Sequence, residues 1–443
     1  MKPIAKTSVL EIARDLYPFN YSVSGNESSI AINQYLSWLP FTVHNFSSGR
    51  TLRGWKIPEG WKVERAQIKY GKNMIHDCLE KTRLGCAYLS PSFQGTVSKA
   101  ELLSHCSTRV DLPGATVYDW SRLYRQGNTD WGLSIPWDVL ESLPDEKFEI
   151  DIKTSNYSSS MKVLDFLIRG QTDHEIVVSA HNCHPYQAND DISGCAVAIS
   201  AFSELLSQSN LHYSYRLIIG PELFAPMFWM DKYEDNIEKM KACILLKSVG
   251  NQASLNIQHS FRGDAVIDQI ARVATRGINS DSTKSHAFRT YHGNDETVFE
   301  APGYEIPTVT LTRFPFKEYH TNLDVPDLLS NDSLEDSLKV LMRMINIIET
   351  NVHAVSVPKG LYCLSHPDYN LYRKAPEPGL SNEGKSSQDK SWNLMMNCLP
   401  REMSSGSSAV ELSNKYNLPY EFVLDYLLSW ESKNLLELEH ASL

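Results

Sequence analysis

Histidine and aspartate are concentrated in one short segment, SAHNCHPYQANDDISG at residues 179–194. The segment leaves an apolar strand, crosses a loop and enters a helix, with His181 at the strand end and Asp190 at the helix start. Ligands of sheets that are covered by helices gather at strand ends of this kind. Imidazole and carboxylate are also the usual zinc ligands where thiolates are not used. The segment therefore indicates metal chemistry.

Two further apolar runs end at residues suited to the same chemistry. The run YRLIIGPEL stops at Glu222, a carboxylate that can take a proton from water that a metal activates. The strand IPTVTLTR is followed by EYHTNLDVPD, which offers His320. Each residue alone has an ordinary explanation, as a hydrogen-bonded loop histidine or as a carboxylate favoured by a helix dipole. It is their combination, on three separate strand ends, that favours a metal site.

The elements that must position these residues alternate between strand and helix from about residue 148 to residue 351. This alternation predicts a three-layer α/β/α core with a mixed, mostly parallel sheet. We expect the core to comprise residues 1–40 and 122–355, interrupted by a small β-rich domain at 41–121. Residues 356–443 are predicted to form a linker, with GLSNEGKSSQDK at Gly379–Lys390, followed by the helix–turn–helix–strand outline of a winged helix.

The motifs AHNCHPYQANDDISG, PEL, GNDETVFEAPG and EYHTNLDVPD resemble those of bacterial aminopeptidase-like proteins, an uncharacterised subfamily of the zinc co-catalytic aminopeptidase superfamily. The resemblance covers nearly the whole chain, including a β-rich insert and a C-terminal winged helix. Carried over residue by residue, it implies that His181, Asp190 and His320 bind the metal. It also implies that Glu222 is the general base.

Two departures from the superfamily pattern change the expected metal content. The place of a second metal-binding glutamate holds Leu223, and the place of a further aspartate holds Lys247. Because two neighbouring cations need several carboxylates to offset their repulsion, we expect one zinc ion rather than two. The lysine ammonium could take the place of the lost cation and polarise a carbonyl or hold a carboxylate.

Other residues of these motifs have open roles. His184 could be a further ligand, a substrate contact or a cap within its loop. Asp295 and Glu296 could receive a substrate ammonium, while helix capping explains Asp295 equally well. Asp324 could support a metal ligand or serve only as a turn residue. Cys183 stands where superfamily members place an aspartate that orients the first histidine, so that support must come from elsewhere.

Composition excludes some classes of function. A net charge of -11, with an acidic C-terminal segment, argues against nucleic-acid binding, because such binding depends on Lys and Arg. No run approaches the ~18 apolar residues of a membrane span. The eight cysteines are dispersed and form no C-x-x-C pair, which is typical of reduced thiols. We therefore expect a cytoplasmic protein without a nucleic-acid or membrane partner, and a homo-oligomer stays open.

These observations predict a zinc-dependent hydrolase that cleaves an amide bond, with an aminopeptidase-like site. An alternative is a small-molecule amidase or deacylase in a polysaccharide or natural-product pathway. The alternative from another class is a metal-binding scaffold or interaction protein without turnover. Retention of Glu222 argues against the scaffold, since a structural zinc has no use for a proton acceptor and closes with four protein ligands.

Overall fold

The computed structural model describes residues 7–125, 127, 129–278, 283–373 and 387–443. Its helices are α1 Val9–Leu16, α2 Asn26–Trp38, α3 Lys99–Ser104, α4 Trp137–Ser142, α5 Ser193–Leu205, α6 Phe224–Lys232, α7 Val266–Thr275, α8 Glu296–Phe299, α9 Asn331–Thr350, α10 Ser387–Ser404, α11 Ala409–Tyr416 and α12 Tyr420–Glu431. Its strands are β1 Thr42–Ser47, β2 Thr51–Leu52, β3 Trp55–Lys56, β4 Gly60–Tyr70, β5 Asn73–Asp77, β6 Phe93–Ser98, β7 Cys106–Ser107, β8 Leu133–Ser134, β9 Lys147–Tyr157, β10 Ser160–Ile168, β11 Glu175–His181, β12 Ser214–Gly220, β13 Met240–Lys247, β14 Asn256–Gln258, β15 Ser285–His286, β16 Thr308–Thr312, β17 Val352–Ser356 and β18 Glu437–His440.

An eight-stranded sheet forms the centre of the molecule, in the order β1-β10-β12-β11-β13-β16-β14-β15. The four central strands β12, β11, β13 and β16 run parallel, and antiparallel pairings join β10 and β14 to this group. Every residue of β11 and β12 is buried. Strands covered on both faces need apolar side chains on both, which explains their continuous hydrophobic runs.

Helices cover both faces of this sheet. Successive side chains of a strand point to opposite faces. Accordingly, Ile176 and Val178 of β11 pack into one hydrophobic cluster with α1, α5, α7 and α9, whereas Val177 packs into another with α6 and α8. The predicted α/β/α core with a mixed, mostly parallel sheet is confirmed. Helices α1 and α2 of the N-terminal segment pack into the first of these clusters.

A smaller antiparallel sheet, ordered β5-β4-β9-β6, has a hydrophobic cluster of its own. Its membership differs from the predicted limits of 41–121 at both ends. Strand β1 pairs with β10 in the large sheet, and β9, which the prediction assigned to the core, pairs with β4 and β6 in the small sheet. We propose that the inserted unit extends from β2 to β9.

The C-terminal segment packs against the core on the α7 and α9 side. Its α11, α12 and β18 follow the predicted order of helix, turn, helix and strand, and β18 pairs with β17. Arg343 of α9 bonds to Glu421 of α12 at 3.0 Å. The winged-helix assignment itself stays a prediction. Of the predicted linker Gly379–Lys390, the part up to residue 386 lies outside the described residues, and the last four residues belong to α10.

Among the residues that the structure describes, we find no helix with the length and apolar character that crossing a bilayer would require. All eight cysteines are free thiols.

Candidate metal centre

The carboxyl ends of β11, β12 and β13 meet at one edge of the large sheet, and the candidate residues lie there. His181 ends β11, and the chain then makes an irregular turn at Ala188–Ile192, where a cis peptide bond joins Asp190 to the next residue. Asp324 holds this turn, because its two carboxylate oxygens accept the backbone N–H groups of Asn189 at 2.7 Å and Asp190 at 3.0 Å. Asp324 thus supports the predicted ligand rather than serving only as a turn residue.

The two carboxylate oxygens of Asp190 face different partners. Oδ1 lies 2.8 Å from Lys247 Nζ and 3.4 Å from His181 Nε2. Oδ2 lies 3.3 Å from His320 Nε2 and 3.5 Å from His184 Nε2. Burial by itself would raise the pKa of Asp190, but the Lys247 ammonium and the three imidazoles hold it well below its usual range. Asp190 is therefore a buried carboxylate at the centre of two separate contact groups.

The Oδ2 side suits a cation. His184 Nδ1 lies 3.0 Å from the Pro185 carbonyl oxygen, so it carries the proton and leaves a lone pair on Nε2. His184 Nε2 and Asp190 Oδ2 are buried, and neither has a hydrogen-bond partner among the described residues. Two buried acceptors that face each other are unfavourable unless a positive charge lies between them. Together with His320 they form a group whose ligand atoms lie within 4.8 Å of one another.

His320 can join this group only after its proton moves. Trp120 Nε1 donates to His320 Nδ1 at 3.2 Å, which places the imidazole proton on Nε2, 3.3 Å from Asp190 Oδ2 but without the geometry of a hydrogen bond. Burial lowers the pKa of His320 to about 4, so the ring is neutral, as a ligand must be. Ligation through Nε2 requires the proton on Nδ1, and the hydrogen bond from Trp120 is then lost. The donor set of two imidazoles and one carboxylate fits a catalytic zinc site.

The Oδ1 side already holds a cation, the ammonium of Lys247. Burial works against the charge, but Asp190, Tyr319 and Glu222 outweigh it and raise the pKa of Lys247 well above its usual value. Its Nζ donates to His181 Nε2 at 3.2 Å. Burial and this ammonium lower the pKa of His181, which stays neutral. The residue predicted as the first metal ligand thus has its Nε2 lone pair engaged by a lysine.

Glu222 lies two residues after β12, beside the group formed by His184, Asp190 and His320 but outside it. Its carboxylate is within 4.8 Å of ligand atoms of His181 and Cys183. The next residue, Leu223, has a φ of 61°, a conformation that costs a branched side chain energy. Its N–H donates to Asp295 Oδ1 at 2.6 Å, which fixes this turn and hence the direction of Glu222.

Asp295 and Glu296 are both buried. The Asp295 side chain makes no cap bond to its helix. Burial raises the pKa of Asp295 well above its usual value and that of Glu296 to about 7. Glu296 Oε1 accepts from the Asn294 backbone at 2.9 Å, while Oε2 has no partner among the described residues.

Aromatic side chains that the sequence did not reveal complete the site. We call the cavity of about 200 Å³ beside these residues the metal cleft; Glu222, His184 and His320 lie in its wall. Tyr118 stacks on His184 with ring centroids 4.5 Å apart, and Tyr319 stacks on His320 at 3.8 Å. Tyr118 and Trp120 come from the segment between the two parts of the core, and no local motif marks them.

The comparisons with known proteins agree with this architecture. A family model described as a domain of unknown function, DUF4910, matches residues 10–351, more than three quarters of the sequence. The chain belongs to this family. A proposed polysaccharide biosynthesis protein with an aminopeptidase-like domain, from Clostridium acetobutylicum, is 27% identical to this DUF4910 protein over 349 residues, covering 77% of this chain and 78% of the relative.

Solved structures show that the DUF4910 protein has an aminopeptidase-like fold, which confirms the resemblance. A proposed peptidase from Clostridium acetobutylicum superposes with a TM-score of 0.76 at 24% identity, covering 97% of this chain and 96% of that one. BSAP, a zinc aminopeptidase from Bacillus subtilis, gives 0.56 at 16% identity, covering 76% and 93%. A peptidase M28 precursor from Shewanella amazonensis gives 0.56 at 12% identity, covering 77% and 93%.

In this DUF4910 protein every residue singled out from the sequence lies at or next to one buried site. The grouping differs from expectation in one respect. His184, which sequence reasoning left with several roles, lies with Asp190 and His320, whereas His181 lies with Lys247.

Proposed function

We propose that the protein is a zinc-dependent hydrolase that cleaves an amide bond, with one metal ion held by His184 Nε2, Asp190 Oδ2 and His320 Nε2. Glu222 is the general base. The observation that carries this proposal is the pair of buried, unpartnered acceptors on His184 and Asp190, which face each other in a cleft beside an unligated carboxylate. This trio replaces the one expected from sequence, which had His181 in place of His184.

Lys247 supports the single-ion assignment. Its ammonium contacts Asp190 Oδ1 and His181 Nε2, the two atoms that a second ion would need. A metal placed there would meet a buried positive charge a few ångströms away, at a cost of about 4 kcal/mol per unit charge at 4 Å and an effective dielectric constant of 20. We therefore propose that the lysine substitutes for the second cation of related two-metal sites.

When bound, zinc would supply a Lewis acid that polarises water and the scissile carbonyl. The protein's own residues do the rest. The Glu222 carboxylate takes a proton from water and passes it to the leaving amine nitrogen. The Lys247 ammonium holds the charge of Asp190 and adds positive potential at the cleft. The Tyr118 and Tyr319 rings pack against the ligand imidazoles and keep bulk water from them.

The likeness to zinc aminopeptidase structures supports a peptide substrate. A second candidate, a non-peptide amide in polysaccharide assembly, is favoured by the name of the Clostridium acetobutylicum relative. A scaffold without turnover is the remaining alternative. Measured turnover distinguishes a hydrolase from a scaffold. Which substrates are hydrolysed, peptides or non-peptide amides, distinguishes the two hydrolases.

The test combines metal analysis with a screen of aminoacyl anilides and N-acyl amides. We expect one zinc per chain and a turnover that falls about 10²–10⁴-fold in Glu222→Gln while zinc is retained. Glu149→Gln, an exposed carboxylate on β9, is the matched control and should retain full turnover. His184→Ala should lose zinc. Full turnover in Glu222→Gln, or full zinc occupancy in His184→Ala, would contradict the proposal.

A further inference from the structure

A second cavity, of about 530 Å³, lies between the N-terminal segment and the small sheet. We call it the strand-edge cavity. Its walls include three consecutive residues of β4, Trp61, Lys62 and Val63, and the chain that follows β5, represented by Leu79 and Thr82. Because successive strand side chains point to opposite faces, three consecutive residues can line one cavity only where it lies against the strand's edge.

That edge has no strand partner among the described residues. Strand β9 pairs with β4 along one side, from Gly60 to Lys69. On the other side, β5 pairs only with residues 67–70, and the last contact there is the bond from Cys78 N–H to the Ala66 carbonyl. The chain then turns away from β4. The strand-edge cavity thus occupies the place where a neighbouring strand would continue.

The cavity also has rigid aromatic walls and a buried hydroxyl whose hydrogen bonding is incomplete. Trp61 is fixed by its Nε1 bond to the Ser90 carbonyl at 3.0 Å, and its ring lies 5.8 Å from that of Tyr88. The Tyr88 hydroxyl is buried near Ser22 and the Val23 backbone, but no hydrogen bond of good geometry joins it to the described residues. A buried hydroxyl of this kind costs free energy until a ligand or water pairs with it.

The strand-edge cavity adjoins the metal cleft at Tyr118. Tyr118 lines both cavities, and its ring stacks on His184. Pro185, the residue after His184, also lines the strand-edge cavity. A substrate with its scissile bond at the metal cleft would reach the strand-edge cavity by passing Tyr118.

We propose that the strand-edge cavity binds the peptide chain of the substrate in an extended conformation, as an added strand on the free edge of β4. The inference rests on the proposed function for its chemistry and adds the substrate class, a peptide of several residues. Strand addition uses main-chain hydrogen bonds for affinity and side-chain pockets for selectivity. The free edge, Gly60–Glu64, spans about 16 Å at ~3.3 Å per residue, which suits a chain of four to five residues.

Binding measurements on the intact protein test this without requiring turnover. Isothermal titration of Glu222→Gln and wild-type protein with di-alanine to hexa-alanine should show affinity rising at least tenfold with length. N-methylation of hexa-alanine at one amide at a time should weaken binding about tenfold at every second position and little in between, because only alternate amides face β4. Equal effects at all positions, or affinity independent of length, would overturn the inference. Binding of the disaccharide N,N′-diacetylchitobiose without binding of any peptide would also overturn the inference.

A cavity-filling variant provides an independent arm. Thr82 lies on the loop that walls the cavity and is only partly buried. Thr82→Trp should reduce the preference for hexa-alanine over di-alanine at least fivefold, whereas Thr82→Ala should keep it. An unchanged preference in Thr82→Trp would count against the subsite. If alanine p-nitroanilide is hydrolysed but the affinity for alanine peptides does not depend on their length, only the subsite is overturned. If peptide binding depends on length but no amide is hydrolysed, only the proposed function is overturned.

Discussion

Replacing Lys247 by aspartate should convert the proposed one-metal site into a two-metal site. Lys247 Nζ lies 2.8 Å from Asp190 Oδ1 and 3.2 Å from His181 Nε2. Aspartate removes the ammonium, frees both atoms and adds a carboxylate at the end of β13. His181, Asp190 and the introduced carboxylate would then supply three ligands, enough for a second zinc at bonds of about 2.0–2.2 Å.

The magnitude follows from burial. Lys247 is 1% exposed and Asp190 is fully buried, and breaking such a buried pair costs about 3–5 kcal/mol. Lys247→Met, the control, should lose this much unfolding free energy without zinc and should bind one zinc. Lys247→Asp should be less stable still without zinc, because two buried carboxylates repel. It should recover about 4 kcal/mol when free zinc reaches a thousand times the dissociation constant of the new site.

The assay is zinc content by mass spectrometry after equilibrium dialysis, with urea unfolding in matched zinc buffers. We expect one zinc in the wild type, one in Lys247→Met and two in Lys247→Asp. Two ions in the wild-type chain, or equal zinc content in both variants, would show that the lysine does not take the place of a cation.

Four further predictions concern neighbouring residues. Asp324→Ala should weaken zinc binding about 10–100-fold by competition with a chelator, because the Asp190 loop loses its anchor; unchanged affinity would show that the loop holds itself. Trp120→Phe should bind zinc at least as tightly as wild type, because the Trp120 indole hydrogen bond favours the tautomer of His320 that cannot ligate through Nε2. Weaker zinc binding in this variant would contradict that explanation. The pKa of Glu296 is raised by burial from 4.5 to about 7, so the folded state favours the neutral acid. The stabilisation from neutral Glu296 is fully present below about pH 4.5 and is lost as pH rises through 7, by roughly 3 kcal/mol. Urea unfolding at a series of pH values should show that Glu296→Gln removes this fall of unfolding free energy with pH. An unchanged fall would refute the prediction. Arg216→Met should lower the free energy of unfolding by about 3–5 kcal/mol in the same assay, because the buried carboxylates of Asp165 and Glu175 lose their cationic partner. A loss below 1 kcal/mol would contradict this.

The core fold could be predicted because its strands are buried on both faces. The runs EIVVSAH and SYRLIIG are apolar without alternation, which marks the centre of a parallel sheet. Because parallel strands end at one edge of the sheet, the same rule predicts that His181, Asp190, Glu222 and His320 lie near one another at that edge. The limits of the insert were harder to predict. Strand β9 alternates buried and exposed residues, and alternation reports exposure on one face but not the sheet to which a strand belongs.

The grouping of the histidines around Asp190 could not be predicted from sequence. Whether His181 or His184 joins His320 depends on which oxygen of Asp190 each imidazole faces, and that depends on a turn held by Asp324 from a distant loop. The aromatic walls of the cleft were missed for a similar reason. Tyr118 reaches His184 across more than sixty residues of sequence, and a single sequence carries no signal of that contact.

The most direct measurement is the position of the metal itself, by anomalous scattering from crystals grown with zinc. We expect one peak, bonded to Nε2 of His184, Oδ2 of Asp190 and Nε2 of His320 at about 2.0–2.2 Å, with Lys247 still against Oδ1. A peak between His181 and Asp190 Oδ1, with the lysine displaced, would contradict this expectation.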